Sequence, residues 1–243
     1  MPMLRLALRM LPIAPMVLAV GAVSGQDYPA KPIRIITSAP GGSSDFMFVV
    51  HPSLPVKSVK ELIALAKARP GELNYGSGGI GGASHLPAEL FKSMAGANIV
   101  NVNYKGTGQA INALVAGEIQ LMFANATISS PQIKAGRLRG VAVGSLQRSA
   151  LLPDLPTVAA SGLPGFESVV LQGILTRANT PAAHISRLNQ EIVRVLNRAD
   201  VKERLFSTGV EIVGSSPEEL AATIRADIVK WDKVIKDAGI RVE

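Results

Sequence analysis

An α/β fold with a parallel-rich sheet is what this sequence predicts, and three observations carry the prediction. Short apolar runs alternate with helical periodicities between residues 58 and 143, the pattern of strand and crossover helix that builds parallel sheets. Glycine-rich turns follow three of the predicted strands, at residues 38–45, 76–82 and 104–108, and in open α/β sheets ligands sit outside the carboxyl ends of the strands. With 243 residues, 47% of them hydrophobic, the chain can build one large domain or two small lobes with real cores.

Residues 1–25 carry Arg5 and Arg9 as their only charges, ahead of an apolar run at 11–23 and the small residues Ala22, Ser24 and Gly25. This is the pattern of a cleavable secretory signal peptide, and the run, interrupted by Pro12 and Pro15, is too short to span a bilayer. Export is expected. Without the two leader arginines, 23 basic residues face 18 acidic ones, a net charge of +5 spread over the helices, which suits an anionic ligand. Nucleic acid would want a basic stripe with exposed aromatics, and ten aromatics are scattered over the whole chain. With no cysteine, disulfides and thiolate metal sites are excluded, and His51, His85 and His184 lie too far apart for ligand spacing, so no metal or cofactor is expected.

The mature chain opens with a predicted buried strand at 33–37 and the turn at 38–45, where Ser43 or Asp45 should cap a helix. Instead residues 46–50 read as another strand, so the expected helix is missing. Pro52 and Pro55 stiffen a crossing segment between lobes. Ser58 with Glu61 forms a capping box for a helix that stops at Pro70 and Gly71. Residues 73–75 are strand, Ser84 is a candidate N-cap for a helix ending near Gly96, and 99–102 is strand again. A helix at 109–116 stops at Gly117, a strand covers 119–123, Ser130 and Pro131 start a short helix ending at Gly136, and 138–143 is strand.

Pro153, Pro156 and Pro164 mark a long connection, after which 169–176 can be a strand crossing back. Thr180 and Pro181 open a helix with Ile185, Leu188, Ile192 and Val195 on one face. A short helix from Val201, a brief strand at 211–213, and a capping box of Ser216 with Glu219 lead to the last helix. Its stripe of Leu220, Ile224, Ile228, Trp231 and Ile235, like that of the helix before the short one, is predicted to be core.

The stretch from Asn74 to Leu90 is the strongest candidate for function. Five glycines between Gly76 and Gly82 let backbone pass close to another molecule, and the helix that follows presents unpaired N–H groups and a partial positive charge. Phosphate or carboxylate is the natural guest. Gly76, Gly78 and Gly81 fit G-x-G-x-x-G, but the dinucleotide fold also wants an acidic residue about twenty positions on, and the strand there is flanked by Asn98, Asn101 and Asn103.

Several further motifs run in one order: Tyr28-Pro-x-Lys-Pro-Ile, Ala39-Pro-Gly-Gly-Ser-Ser-Asp45, Val49-Val-His-Pro-Ser-Leu-Pro-Val-Lys-Ser-Val-Lys-Glu-Leu62, Leu73-Asn-Tyr-Gly-Ser-Gly78, Ser84-His-Leu86, Tyr104-Lys-Gly106, Leu121-Met-Phe123 and Pro153-Asp-Leu-Pro-Thr157. In that order the chain resembles the Bug family, the TctC-type periplasmic receptors of tripartite tricarboxylate transporters. The resemblance implies a two-lobed, Venus-flytrap periplasmic-binding-protein fold that holds a small organic carboxylate between lobes and hands it to membrane transporter subunits. Carried over by position, it implies a first-lobe carboxylate loop at Gly41, Gly42, Ser43 and Asp45 and a second-lobe loop at Ser77, Gly78, Ser84 and His85. Tyr104, Lys105 and Gly106 would line the cleft, with Asn125 at the end of a strand where the family has Asp before Asn. Ala124 stands in place of that Asp, which argues against an amine-bearing ligand.

A larger departure falls at Met47 and Phe48, where the family pattern continues through a helix and several strands of lobe one. The expectation is therefore an intact second lobe at 51–172 and a first lobe reduced to residues 26–50 and 173–243. An intact receptor would be a monomer, and the reduced one prone to associate. The rivals are a secreted hydrolase, for which there is no G-x-S-x-G elbow or ordered Ser, His and acid set, and a decayed paralogue with little binding.

Overall fold

The computed structural model describes residues 42–150, 152–207 and 210–241, so the leader, the strand expected at 33–37 and Gly41 lie outside the described residues. The elements run β1 (Gly42–Val50), α1 (Val59–Ala68), β2 (Asn74–Ser77), α2 (His85–Ala95), β3 (Val100–Asn103), α3 (Thr107–Ala116), β4 (Leu121–Asn125), α4 (Ala126–Lys134), β5 (Arg139–Val143), β6 (Val169–Gln172), α5 (Ala182–Leu196), α6 (Ala199–Ser207) and α7 (Pro217–Asp237). The sheet has the order β3-β2-β4-β1-β5, with β6 paired to β1. Strands β3, β2 and β4 are mutually parallel, as the strand-helix alternation predicts. The sheet as a whole is mixed, because β1 runs antiparallel to β4, β5 and β6.

Strand β1 is the centre of the sheet, and its sequence explains why. Phe46, Phe48 and Val50 point into one core with α1 and α2, while Met47 and Val49 point into the other with α3 and α4. A strand buried on both faces reads as an unbroken apolar run, and Phe46-Met-Phe-Val-Val50 is one. On the first face Phe48 stacks on Phe123 with ring centroids 4.5 Å apart, and Phe91 meets Phe48 edge-on at 4.9 Å.

This strand corrects one expectation. Gly42, Ser43 and Asp45 do not form a turn: their backbone is strand, with Gly42 opposite Gln172, Ser43 opposite Leu171 and Asp45 opposite Val169. Without a following helix to enter, the segment satisfies its backbone groups by pairing with β6. Met47 and Phe48, where the gap is expected, sit in one continuous strand in register with Ala124 and Phe123 of β4. A break there would cut the central strand. Pairing changes partner between Asp45 and Phe46, on the amino side of the buried run.

Helix starts and stops follow local chemistry with several exceptions. Ser58 caps α1 by accepting the Glu61 N–H, but Glu61 returns its carboxylate to the Lys57 N–H rather than to Ser58. Helix α4 begins at Ala126, capped by Asn125, and takes Pro131 into its interior instead of starting there. Helix α5 has Pro181 as N-cap and no side-chain cap, so Thr180 does not open it. The Ser216–Glu219 capping box of α7 is formed in both directions.

The apolar stripes of the last helices are the main correction to the predicted core. Leu196 is the buried residue of α5 and Val234 that of α7, while Ile228 is 62% exposed. Beside them the described residues supply little more sheet than β6 and the first residues of β1, too small a surface to cover two amphipathic helices. Helix α7 packs on α2, leaving a groove of about 450 Å³ along Leu171, Ile224, Ile228, Trp231 and Ile235.

Candidate functional site

Parallel β3, β2 and β4 all end at one edge of the sheet, where loops lead from β2 and β3 into helix starts and β4 runs directly into α4. Most of the sequence-predicted site residues meet there. Ser77 ends β2 fully buried; its Oγ donates to Asn101 Oδ1 at 2.9 Å, with Asn103 Oδ1 3.3 Å away. The Tyr104 N–H continues the ladder by donating to the Ser77 carbonyl at 2.8 Å. The glycine turn and the 104–106 loop are thereby tied at their roots.

Gly78 is needed for close approach, but to its own chain. A Cβ at this position would lie 2.4 Å from the Thr107 nitrogen and 2.9 Å from the Gly106 carbonyl carbon, so the turn packs directly on the amino end of α3. The Gly78 N–H is also occupied, donating to Ser84 Oγ at 2.9 Å. Ser84 itself has helical backbone and makes no capping bond to α2, contrary to the sequence expectation. A hydroxyl folded back across the turn cannot also reach the helix's first amides; the N–H groups of His85 and Leu86 bond instead to the Gly82 carbonyl.

His85 holds the turn from below. Its Nδ1 accepts the Gly81 N–H at 3.0 Å, so that nitrogen carries no proton. Beneath the ring, Tyr75 Oη donates to Glu89 Oε1 at 2.5 Å and Lys92 Nζ donates to the same oxygen at 2.7 Å. Burial, then the Glu89 hydrogen bond and charge, push the Tyr75 phenol far above its usual range, so it stays a donor. Burial pulls the His85 pKa down, against the attraction of Glu89 and with the help of Lys92. A depressed histidine means that the unfolded chain takes up the proton first as pH falls. The stability from neutral His85 is present above about pH 6.5 and lost as pH falls through the folded value. Thermal melts from about pH 7.5 to 5.5 should show a larger loss for the native chain than for His85→Gln, and parallel curves would exclude this role for His85.

The remaining residues distribute around this edge. Lys105 is exposed, and its N–H donates to Gln109 Oε1 at 3.3 Å. Gly106 is the N-cap of α3, with extended backbone and no side chain to cap the helix. Asn125 caps α4, its Oδ1 accepting the Thr127 N–H at 2.7 Å. Gly42, Ser43 and Asp45 belong to a strand that crosses the same edge: Phe46 is opposite Asn125, so residues 42–45 run on past the carboxyl end of β4.

Sequence reasoning missed Thr107, Asn101, Asn103, Glu89 and Tyr75. Asn101 and Asn103 share one face of β3 at spacing two, and Glu89 follows His85 by one helical turn, so both pairings were available as patterns.

An α/β sheet that gathers backbone turns and helix starts at the carboxyl edge of its parallel strands has the architecture of a periplasmic solute-binding protein. The chain belongs to the tripartite tricarboxylate transporter family receptors, whose family model matches residues 28–240. This is a family of receptors rather than enzymes. The chain is 34% identical over 190 residues to a UPF0065 protein in the tcbD-tcbE intergenic region of Pseudomonas sp. strain P51, with 78% of this chain aligned but 56% of that protein's length. It is 30% identical over 227 residues to protein BugT of Bordetella pertussis, covering 93% of this chain and 70% of BugT. Among solved structures it is similar to R. palustris Rpa4515 with adipate, at 34% identity and a TM-score of 0.74, covering 85% of this chain and 69% of that one. The periplasmic binding protein BugD is similar at 29% identity and a TM-score of 0.70, with 87% and 70% covered.

Proposed function

We propose that this chain is an exported, periplasmic receptor that captures a small carboxylate, of the di- or tricarboxylate type, at the carboxyl edge of β3, β2 and β4 for a membrane transporter. The observation that supports it best is the amino end of α3. Gly106 leaves that helix without a side-chain cap, beside Tyr104 and Lys105, and with Gly78 packed against Thr107 and the Gln109 N–H donating to the Gly106 carbonyl, the helix start offers a carboxylate chiefly its partial positive charge. The relative with adipate, itself similar over most of this chain, supports the ligand class.

In this reading residues 51–172 form lobe two, and residues 26–50 with 173–243 form what is present of lobe one. In the same reading a lobe-one helix and several strands are missing near Met47 and Phe48, and the 70% of BugT that the alignment covers supports a larger size for that relative. The stripes of α5 and α7, half-buried with Val195 and Ile228 exposed, favour the second reading, a receptor weakened by that gap.

Calorimetry with adipate, malate and citrate tests the proposal. Backbone donors in a partly enclosed site are screened far less than exposed ion pairs, for which the Debye length falls from about 10 Å at 0.1 M to about 3 Å at 1 M. Saturable binding with less than tenfold loss over that salt range is expected. A larger loss would move the site to Lys105 and surface charge, and no heat from any carboxylate with folded protein would overturn the receptor reading.

A further inference from the structure

His85, Glu89 and Lys92 of α2 and Tyr75 of β2 form a cluster of titratable groups beneath the glycine turn, largely out of solvent. Two side-chain bonds tie that turn: Ser84 Oγ accepts the Gly78 N–H at 2.9 Å, and His85 Nδ1 accepts the Gly81 N–H at 3.0 Å. The second tie exists only while Nδ1 has a lone pair to offer. A proton there sets donor against donor and leaves the Gly81 N–H without that acceptor. Ile80 at the tip is 52% exposed, so apolar packing does not replace the tie. Nor does the cluster compensate a protonated ring. Glu89 Oε1 lies 3.9 Å from Nε2, too far for a hydrogen bond, and it already accepts from Tyr75 Oη and Lys92 Nζ. Among the described residues Glu89 and Lys92 are the charges that act on the ring, and Lys92 repels a second cation there. Tyr75, with its ring centre 6.1 Å from that of His85, stays neutral.

We infer that carboxylate binding by this chain is coupled to a proton at His85: the turn at 78–84 holds its ligand while the ring is neutral and releases it when Nδ1 takes a proton. The inference rests on the carboxylate reading above and adds its regulation. The coupling follows from which state can yield. A free turn can lift away from a protonated ring, whereas a turn closed on a ligand must keep the Gly81 N–H directed at Nδ1. Binding therefore favours the neutral ring and expels a proton, and affinity falls as pH falls through the ring's folded-state value. Burial, with Lys92 nearby, puts that value below the ordinary histidine range, so the holding state is the one present at neutral pH and release needs mild acid. A bound carboxylate attracts the proton and opposes the effect, but it acts from the solvent side of the turn, where charge is screened, while the lost hydrogen bond belongs to a ring that is 5% exposed. Glu89 and Lys92 are positioning residues that set the pH of release. Without Lys92, Glu89 is free to pair with the imidazolium; without the Glu89 charge, the ring faces Lys92 alone.

Calorimetric titration of the full chain with adipate from about pH 8 to about pH 5.5, in two buffers of different ionisation enthalpy, tests the inference with three variants, each referred to its own affinity at about pH 8. Circular dichroism at each pH identifies the folded samples. The native affinity should fall as pH falls, toward about tenfold per pH unit below the folded-state value of His85, with proton release on binding. His85→Asn, whose amide oxygen can stand where Nδ1 stands and does not titrate, should keep only the slope that adipate's own protonation gives, and release fewer protons than the native chain. Lys92→Met should move the native midpoint to higher pH and Glu89→Gln to lower pH, opposite shifts that a merely structural role does not produce. If Glu89→Gln does not fold, Lys92→Met and His85→Asn decide the matter. A native profile that matches His85→Asn, an affinity that rises in acid, or a midpoint unmoved by Lys92→Met overturns the inference and leaves the carboxylate reading standing. Folded native chain that binds adipate at no pH overturns that reading, and the inference with it.

Discussion

Gly78→Val is expected to cost about 3 kcal/mol or more of stability and to abolish ligand binding with it. The added Cβ would stand 2.4 Å from the Thr107 nitrogen and 2.7 Å from its Oγ1, and the first of these belongs to the start of a helix whose Ala110, Ile111 and Leu114 are buried. No side-chain rotation relieves a contact with backbone. Either α3 moves off the sheet or the glycine turn lifts, and lifting it breaks the Gly78–Ser84 bond that spans the turn. For a chain of this size the loss corresponds to a melting temperature lower by roughly 6 to 12 °C. Gly106→Ala is the matched control, because nothing lies within 4 Å of a Cβ there. A Gly78→Val protein that melts with the native chain would show that the turn does not pack on α3 as described.

On the proposed two-lobe reading, adding the lobe-one segment that this chain lacks should raise affinity by about two to four decades. A two-lobed receptor closes on its ligand with hydrogen bonds from both sides, each charge-assisted bond contributing about 1.5 to 3 kcal/mol. In this chain Gly42, Ser43 and Asp45 are engaged as strand beside β6, so the first-lobe loop they should form is not presented as a turn. Two absent bonds amount to about 3 to 6 kcal/mol, the decades stated. A relative's segment inserted between Asp45 and Phe46 leaves the pairing of β1 with β4 and β5 intact, whereas insertion between Met47 and Phe48 would interrupt it. The first graft should bind tightly and the second should fail to fold. A native chain that already binds at micromolar affinity or better would contradict the argument from the gap.

Much of the fold between residues 46 and 143 was legible because its signals are local. Gly96 and Gly117 stop α2 and α3 in left-handed backbone, Ser58 starts α1, and the double-buried run at 46–50 announces a central strand. What was not legible depends on partners distant in sequence. Periodicity shows that Ile224, Ile228 and Trp231 share a face; it does not show whether anything covers that face. Ser84 carries the residue type of an N-cap, and only the folded turn reveals a competing donor at Gly78. The glycine turns marked the sheet edge at which Ser77, Gly78, Ser84, His85, Tyr104 and Gly106 come together. They could not distinguish a glycine that admits a ligand from one that admits Thr107.

The central claim is that a carboxylate binds at the carboxyl edge of β3, β2 and β4, and an amide chemical-shift titration with adipate tests it most directly. Shifts should concentrate in residues 78–84, 104–108 and 125–127, follow one saturation curve, and disappear when adipate is replaced by its neutral diamide. Shifts confined to α7 and β6, or none at saturating adipate in a folded sample, would contradict it.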